Sequence, residues 1–124
     1  MTRVLVLGHA GQLGLALQRA LPPQWTLQTI PRAELDLANT EAIATAIAAT
    51  KPHAIINASA YTAVDKAEDE IDLAFTLNRD APRAIAQAAE RLKAPFVHVS
   101  TDYVFNGEKA SPYVETDPRD PIGI

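Results

Sequence analysis

The chain contains no cysteine. That excludes a disulfide framework, a thiolate metal site and a cysteine nucleophile, and it is compatible with a reducing cytoplasm. Its three histidines, His9, His53 and His98, lie far apart in sequence and none sits in an HExxH-type spacing, so no metal is expected. Long hydrophobic runs are missing too. Only Val4 to Leu7 separate Arg3 from Gly8, too few for the apolar part of a secretion signal, and no stretch approaches the roughly 18 apolar residues that span a bilayer. Positive charge is scarce: 11 Lys and Arg against 15 Asp and Glu leave a formal charge of −4. The cations are scattered rather than clustered, which argues against a nucleic-acid surface, so an anionic ligand has to be held locally. The expectation is a cytoplasmic protein with neither membrane nor nucleic-acid partners.

What remains is ordinary globular material. A length of 124 residues, 48% of them apolar, suits one domain that fills its own core without staples. Arg3 to Leu7 reads as a short strand buried on both faces, running into glycines. Leu13, Ala16, Leu17, Ala20 and Leu21 then recur at helical spacing until Pro22 and Pro23. Trp25 to Ile30 reads as a second strand, and Leu35 to Leu37 as a very short third. Asn39 or Thr40 can cap a helix with Glu41 near its positive end and Ile43, Ala46 and Ile47 on its apolar stripe, closed by Pro52. His53 to Asn57 is the next strand. A long alanine-rich segment follows from about Ala63 to Lys93, with a solvated charged turn at Asp65 to Glu70, and Pro95 to Ser100 is the last strand. Strands alternating with helices need crossover connections, which make the sheet parallel and place helices on both faces. The expected class is a Rossmann-like, doubly wound α/β fold over residues 1–105, with 106–124 a loop.

Gly8, Gly11 and Gly14 form a GxxGxxG turn directly after the first strand and at the start of the first helix. In that position glycines allow a tight turn and let backbone amides approach a pyrophosphate, whose charge the helix N-terminus holds. No GK[ST] follows, which excludes a Walker A loop. A second-strand end carrying an acid favours NAD, whereas an arginine can receive a 2′-phosphate. Here that end carries Pro31 and Arg32, which favours NADPH; Glu34 lies close by, and Asp36 could instead reach the adenine or ribose, so NADH stays open. Polar residues just past the later strands, among them Asn57, Ser59, Ser100, Thr101 and Asp102, suggest either a site or plain turn chemistry.

LGHAGQLG at Leu7 to Gly14, LDLAN at Leu35 to Asn39, NASAYTAVDKAE at Asn57 to Glu68, LNRDAP at Leu77 to Pro82, STDYVFNG at Ser100 to Gly107 and PYVETDPRDP at Pro112 to Pro121 together span the chain. In this combination the sequence closely resembles the dTDP-4-dehydrorhamnose reductase family of extended short-chain dehydrogenases. The resemblance implies NADPH- or NADH-dependent reduction of the 4-keto group of a dTDP-linked 4-keto-6-deoxy sugar, dTDP-4-dehydro-6-deoxy-L-mannose, to dTDP-L-rhamnose. It implies that Gly8, Gly11, Gln12, Leu13 and Gly14 line the pyrophosphate, with Asp36 and Leu37 near the adenine. Ala58, Ser59, Ala60 and Tyr61 would follow the ribose and linker, and Val64, Asp65 and Tyr103 would approach the sugar nucleotide. Thr101 matches the hydroxyl residue that hydrogen-bonds the substrate carbonyl, and Asn78 a position that helps organise the site.

In one respect the chain departs from that family. Tyr61, Tyr103 and Tyr113 are followed four residues on by Asp65, Gly107 and Asp117, so the family's Tyr-x-x-x-Lys proton-donating pair is absent. The family pattern places that pair just after the Pro112 to Pro121 run. The expectation is therefore a chain that binds the cofactor but does not reduce the sugar at a normal rate alone, being either part of a longer reductase or a short form kept for binding. Uncovered strand edges would favour a homo-oligomer. A non-catalytic nucleotide-binding or regulatory module, and another sugar-nucleotide enzyme such as an epimerase or dehydratase, are the alternative readings.

Overall fold

A computed structural model describes residues 1–124. Strand β1 (Thr2–Leu7) turns through the glycines into helix α1 (Gln12–Ala20), and β2 (Trp25–Gln28) follows. Helix α2 (Thr40–Thr50) leads to β3 (Ala54–Asn57), and after the short helices α3 (Val64–Ala67) and α4 (Ile71–Phe75) a π-helical turn at Thr76–Asp80 runs into α5 (Ala81–Leu92). Strand β4 (Phe96–His98) and a 3-10 turn (Asp102–Val104) complete the elements. The four strands lie in the order β2-β1-β3-β4, all parallel.

Alternation sorts the strand residues between two faces. Leu5, Leu7 and Ile55 point to one side, where α2 and α5 lie packed against each other. Ile43, Ile47 and Ile85 fill that layer and have no exposed surface. Alanines at 81, 88 and 89 let the helices approach closely. Each fully buried isoleucine contributes about 1.5–3 kcal/mol relative to its exposed state, so this one layer dominates the stability of the chain. Val4 and Val6 are buried on the opposite face. That face is open at β4, an edge strand whose Val97 is 56% and Val99 44% exposed.

Helix ends follow local chemistry. Lys51 closes α2 in the left-handed region, returning its N–H to the Ala48 carbonyl just before Pro52; Lys93 does the same for α5, bonding to Ala89 and Glu90. The expected helix stop at Pro52 thus falls at Thr50, and the predicted strands shorten to Trp25–Gln28 and Phe96–His98.

Leu35 to Leu37 is not a strand. The Leu35 N–H bonds to the Pro31 carbonyl (3.0 Å), and the Asp36 carboxylate accepts from the Ala38 N–H (3.0 Å). A side chain that satisfies the backbone locally offers an alternative to a sheet ladder. Leu35 is buried and Leu37 packs beside it on the core, so the alternation that suggests a strand serves a pair of turns.

The alanine-rich stretch from 63 to 93 is broken rather than continuous. Pro82 has no N–H to give the Asn78 carbonyl, and Thr76 Oγ1 donates back to the Asp72 carbonyl (2.7 Å). Both loosen an α-helix at this point, and the widened π turn lies immediately before Pro82.

The residues after the 3-10 turn contain no helix or strand, yet they are tied together. The Asn106 carboxamide accepts from the Glu108 N–H and the Tyr113 hydroxyl and donates to Asp120; the Phe105 and Tyr113 rings stack at 4.3 Å. Lys109 pairs with Asp117 at 2.6 Å. The end of the chain returns to α3, where the Ile124 N–H donates to Glu68 Oε1 (2.8 Å).

Candidate functional site

Because the strands are parallel, the segments that follow β1, β2, β3 and β4 all leave from one edge of the sheet. The chain goes outward from β1 to β2, crosses back to β3 and continues to β4, so its direction reverses between β1 and β3. Ligands of open parallel sheets bind in the crevice at such a reversal, beyond the carboxyl ends of the strands. The glycine turn and the 58–61 segment flank it.

Gly8 has φ +80°, and a Cβ there would lie 2.6 Å from Ala58 C and Ser59 N. Gly14 is buried in α1, where a Cβ would lie 2.5 Å from His9 Cα. Both glycines are demanded by the protein's own packing. Gly11 is different: its φ of −78° suits any residue, and a Cβ would meet only the Gly8 carbonyl, at 3.4 Å. The space in front of Gly11 is open. Beyond it the N–H groups of Gln12, Leu13 and Gly14 begin α1 with no acceptor in the chain and no side-chain cap. Gln18 braces the turn from below, donating to the His9 carbonyl (2.9 Å). Three free amides at a positive helix end, reached across a position that needs no glycine for folding, fit the diphosphate of a dinucleotide.

The 58–61 segment is held from two sides. Asn57, fully buried at the end of β3, accepts from both the N–H and the hydroxyl of Ser59. Asn78, in the π turn, accepts from the Tyr61 N–H (2.8 Å) and donates to the Tyr61 carbonyl (3.0 Å). The Tyr61 hydroxyl donates to Glu70 (2.6 Å), which also pairs with Lys66 at 3.0 Å. That hydrogen bond to a carboxylate pushes the Tyr61 phenol up to about 12. The same bond, seconded by Lys66, holds the Glu70 carboxyl below its usual value.

Thr101 is exposed after β4; its Oγ1 accepts from the Tyr103 N–H (3.2 Å) and donates over a long 3.3 Å to Asp102. Tyr103 is exposed in the 3-10 turn, and Val64 and Asp65 are exposed at the start of α3. Leu13 and Ala60 are open to solvent, Ala58 half-buried. Arg32 extends into solvent 3.7 Å from Asp36, in the turns after β2. Leu37 is mainly a core residue. His53 sits at the opposite, amino edge, accepting from the Arg3 N–H (2.9 Å). Sequence reading missed the partners that hold the site: Glu70, and the pairing of Asn57 with His98 at 3.1 Å. The available signal was a polar Asn57 ending an apolar strand.

Residues 1–124 match the family described as the RmlD substrate binding domain. The chain belongs to the RmlD substrate binding domain family. Among relatives of this family member, a dTDP-4-dehydrorhamnose reductase of Sinorhizobium fredii is 44% identical over 122 residues, covering 98% of this chain and 41% of that protein. A dTDP-4-dehydrorhamnose reductase structure from Clostridium acetobutylicum superposes with a TM-score of 0.93 at 36% identity, over 98% of this chain and 44% of the other. One from Bacillus anthracis in complex with NADP gives 0.92 at 37% identity, over 99% and 45%. The chain thus spans less than half the length of the relatives it matches, and the motif resemblance and the Rossmann-like fold both hold. No helix is long and apolar enough to cross a membrane.

Proposed function

We propose that this chain is the dinucleotide-binding part of an NAD(P)H-dependent reductase acting on the 4-keto group of a dTDP-linked 4-keto-6-deoxy sugar, with dTDP-L-rhamnose as product. The observation that carries the reading is the row of unpartnered amides at Gln12, Leu13 and Gly14 behind the open face of Gly11. Similarity to proteins named dTDP-4-dehydrorhamnose reductase supports the substrate class.

In this reading the free amides of Gln12, Leu13 and Gly14 hold the diphosphate, with Gly11 leaving the approach open, and Ala58 to Tyr61 run along the ribose and linker. Arg32 takes the 2′-phosphate of NADPH, its exposed guanidinium leaving the distant Asp36 for a closer partner. The nicotinamide supplies the hydride when bound. Thr101 gives up its long bond to Asp102 and donates its hydroxyl proton toward the substrate carbonyl. Val64, Asp65 and Tyr103 face the sugar nucleotide. The uncovered Val97 and Val99 surface supports association with further polypeptide, a second copy included.

No tyrosine here precedes a lysine by four residues, so the 124 residues bind without turning over. That observation also supports a second reading, a nucleotide-binding module with no reductase role. Titrating NADPH and NADH against the chain, read by the nucleotide's own fluorescence, tests binding. Trp25 opens β2 at the far edge of the sheet and is a poor reporter. Saturable binding with NADPH preferred is expected; binding of neither overturns both readings. Oxidation of NADPH by the keto sugar with this chain alone would overturn the division between binding and turnover.

A further inference from the structure

Leu7, Asn57 and His98 are register partners across β1, β3 and β4, and so form one row at the carboxyl edge of the sheet. Asn57 is the only polar residue in the buried core. A buried carboxamide left unpaired is costly, so its partners decide its orientation. The Ser59 N–H can only donate, and it points at Asn57 Oδ1 (3.1 Å). The other end of the carboxamide is therefore the NH₂, and it lies 3.1 Å from His98 Nδ1. An NH₂ cannot accept, so His98 Nδ1 carries no proton and the ring is neutral with its hydrogen on Nε2.

We propose that His98 is a positioning residue for the dinucleotide cradle: its unprotonated Nδ1 anchors the Asn57 carboxamide, which fixes the Ser59 turn that packs on Gly8. The steps are a chain of contacts. Ser59 N is one of three backbone atoms just past β3 that close on Gly8, the others being Ala58 C and O. Protonating Nδ1 sets donor against donor at Asn57. The carboxamide must then let go of His98 or rotate and release Ser59, and either outcome loosens one wall of the β1/β3 crevice. His98 is exposed overall, yet partial desolvation of its ring lowers the imidazole from its ordinary value, the direction that favours the unprotonated acceptor. The ionisable groups on the helix packed against β4 are Arg83, Glu90 and Arg91, and Asp102 follows the strand; none bonds to the ring. Phe96 stacks beside it at 6.3 Å. The effect on ligand affinity rests on the dinucleotide reading above, whereas the coupling of His98 to Ser59 does not.

Two measurements on the 124-residue chain separate them. In the ligand-free protein, a nitrogen-15 NMR titration should show His98 with hydrogen on Nε2 at neutral pH and the Ser59 amide signal shifting with the His98 midpoint. A hydrogen on Nδ1, or a Ser59 amide indifferent to that titration, overturns the proposal. In the second, NADPH affinity is followed from about pH 7.5 to 5.5 in wild type, His98→Gln and His98→Phe. The glutamine keeps a carbonyl acceptor and does not titrate. Both His9 in the glycine turn and the 2′-phosphate of NADPH, whose second ionisation lies at about 6, are present in every variant. Wild type should lose roughly tenfold more affinity than His98→Gln over that range, and His98→Phe should bind about tenfold more weakly at every pH. Equal pH profiles for wild type and His98→Gln overturn the positioning role. If wild type binds no NADPH at pH 7.5, the functional reading fails and the Ser59 titration alone decides the coupling.

Discussion

Replacing Gly11 by alanine should separate what the glycine turn does for the fold from what it does for a ligand, and Gly8→Ala is the comparison that makes the result readable. At Gly8 the φ of +80° costs an L-residue about 1–2 kcal/mol. The new methyl also lies 2.6 Å from backbone atoms of Ala58 and Ser59, which belong to the exit of a central strand and cannot swing aside. Overpacking of that kind adds about 1–3 kcal/mol. The sum, about 2–5 kcal/mol, is a large fraction of the roughly 5–15 kcal/mol that holds a domain folded. At Gly11 two small effects oppose each other. Restricting the unfolded chain stabilises by about 0.4–1 kcal/mol, and exchanging glycine for alanine at a helix N-cap costs a similar amount. With a single ordinary contact at 3.4 Å, the net change stays below about 1 kcal/mol.

Ligand binding reverses the order of severity. In the proposed binding mode a methyl at Gly11 would stand in the open space before the free amides of Gln12, Leu13 and Gly14. Losing one charge-assisted hydrogen bond costs about 1.5–3 kcal/mol, so NADPH affinity should fall by about ten- to a hundredfold in a protein that melts like wild type. Thermal melting and a nucleotide-fluorescence titration on both variants are sufficient. Gly8→Ala should lower the melting temperature by roughly 8–20 °C. If Gly11→Ala melts as early as Gly8→Ala, glycine is there for folding after all. If it folds and binds NADPH as wild type does, the diphosphate is not held at this turn.

Three further outcomes test the walls of the site. Asn78→Ala removes both hydrogen bonds to the Tyr61 backbone; with that backbone largely open to water the loss should be about 1 kcal/mol, read by urea unfolding, with faster amide exchange at Tyr61. In an alkaline absorbance titration Tyr61 should keep its phenol proton well past the ordinary value of 10, and Tyr61→Phe should remove the late step. The native phenol is the weaker acid, so the native state holds more protons between pH 10 and about 12, and stability falls as pH rises through that window. Asp117, held below its usual value by Lys109 and then by the Val114 N–H, contributes stability above the unfolded carboxyl's 3.8 that is lost as pH falls through the native value. Asp117→Asn should therefore be cleaved faster by protease within residues 106–120, and that difference should vanish in strong acid.

Much of the architecture is legible because it rests on periodic burial. Val4 to Leu7 must fill a strand covered on both faces, and Ile43 and Ile47 recur at helical spacing against it, so pattern alone locates β1 and α2, whereas α5 is read only as part of a longer helical segment. Where the same pattern serves another purpose it misleads. Leu35 and Leu37 alternate about Asp36 as strand residues do, but the carboxylate turns back to the Ala38 N–H and the leucines reach the core from turns. The break before Pro82 depends on a hydroxyl and a missing N–H acting together, which no average over an alanine-rich window reveals.

The site divides along the same line. Backbone donors are readable, because a glycine turn between a buried strand and a helix leaves amides free whatever the distant sequence does. Their supports are not, since these are side chains brought together by register. Asn57 and His98 stand 41 residues apart and meet only because β3 and β4 pair in parallel with these two residues opposite each other. A slip of one residue would send one of the two to the other face and leave the carboxamide without its acceptor. The single polar member of the buried core thus penalises the wrong register as well as holding Ser59, so its value to the fold and to the crevice is the same interaction. A histidine read in isolation as unremarkable acquires a fixed tautomer once that pairing is known.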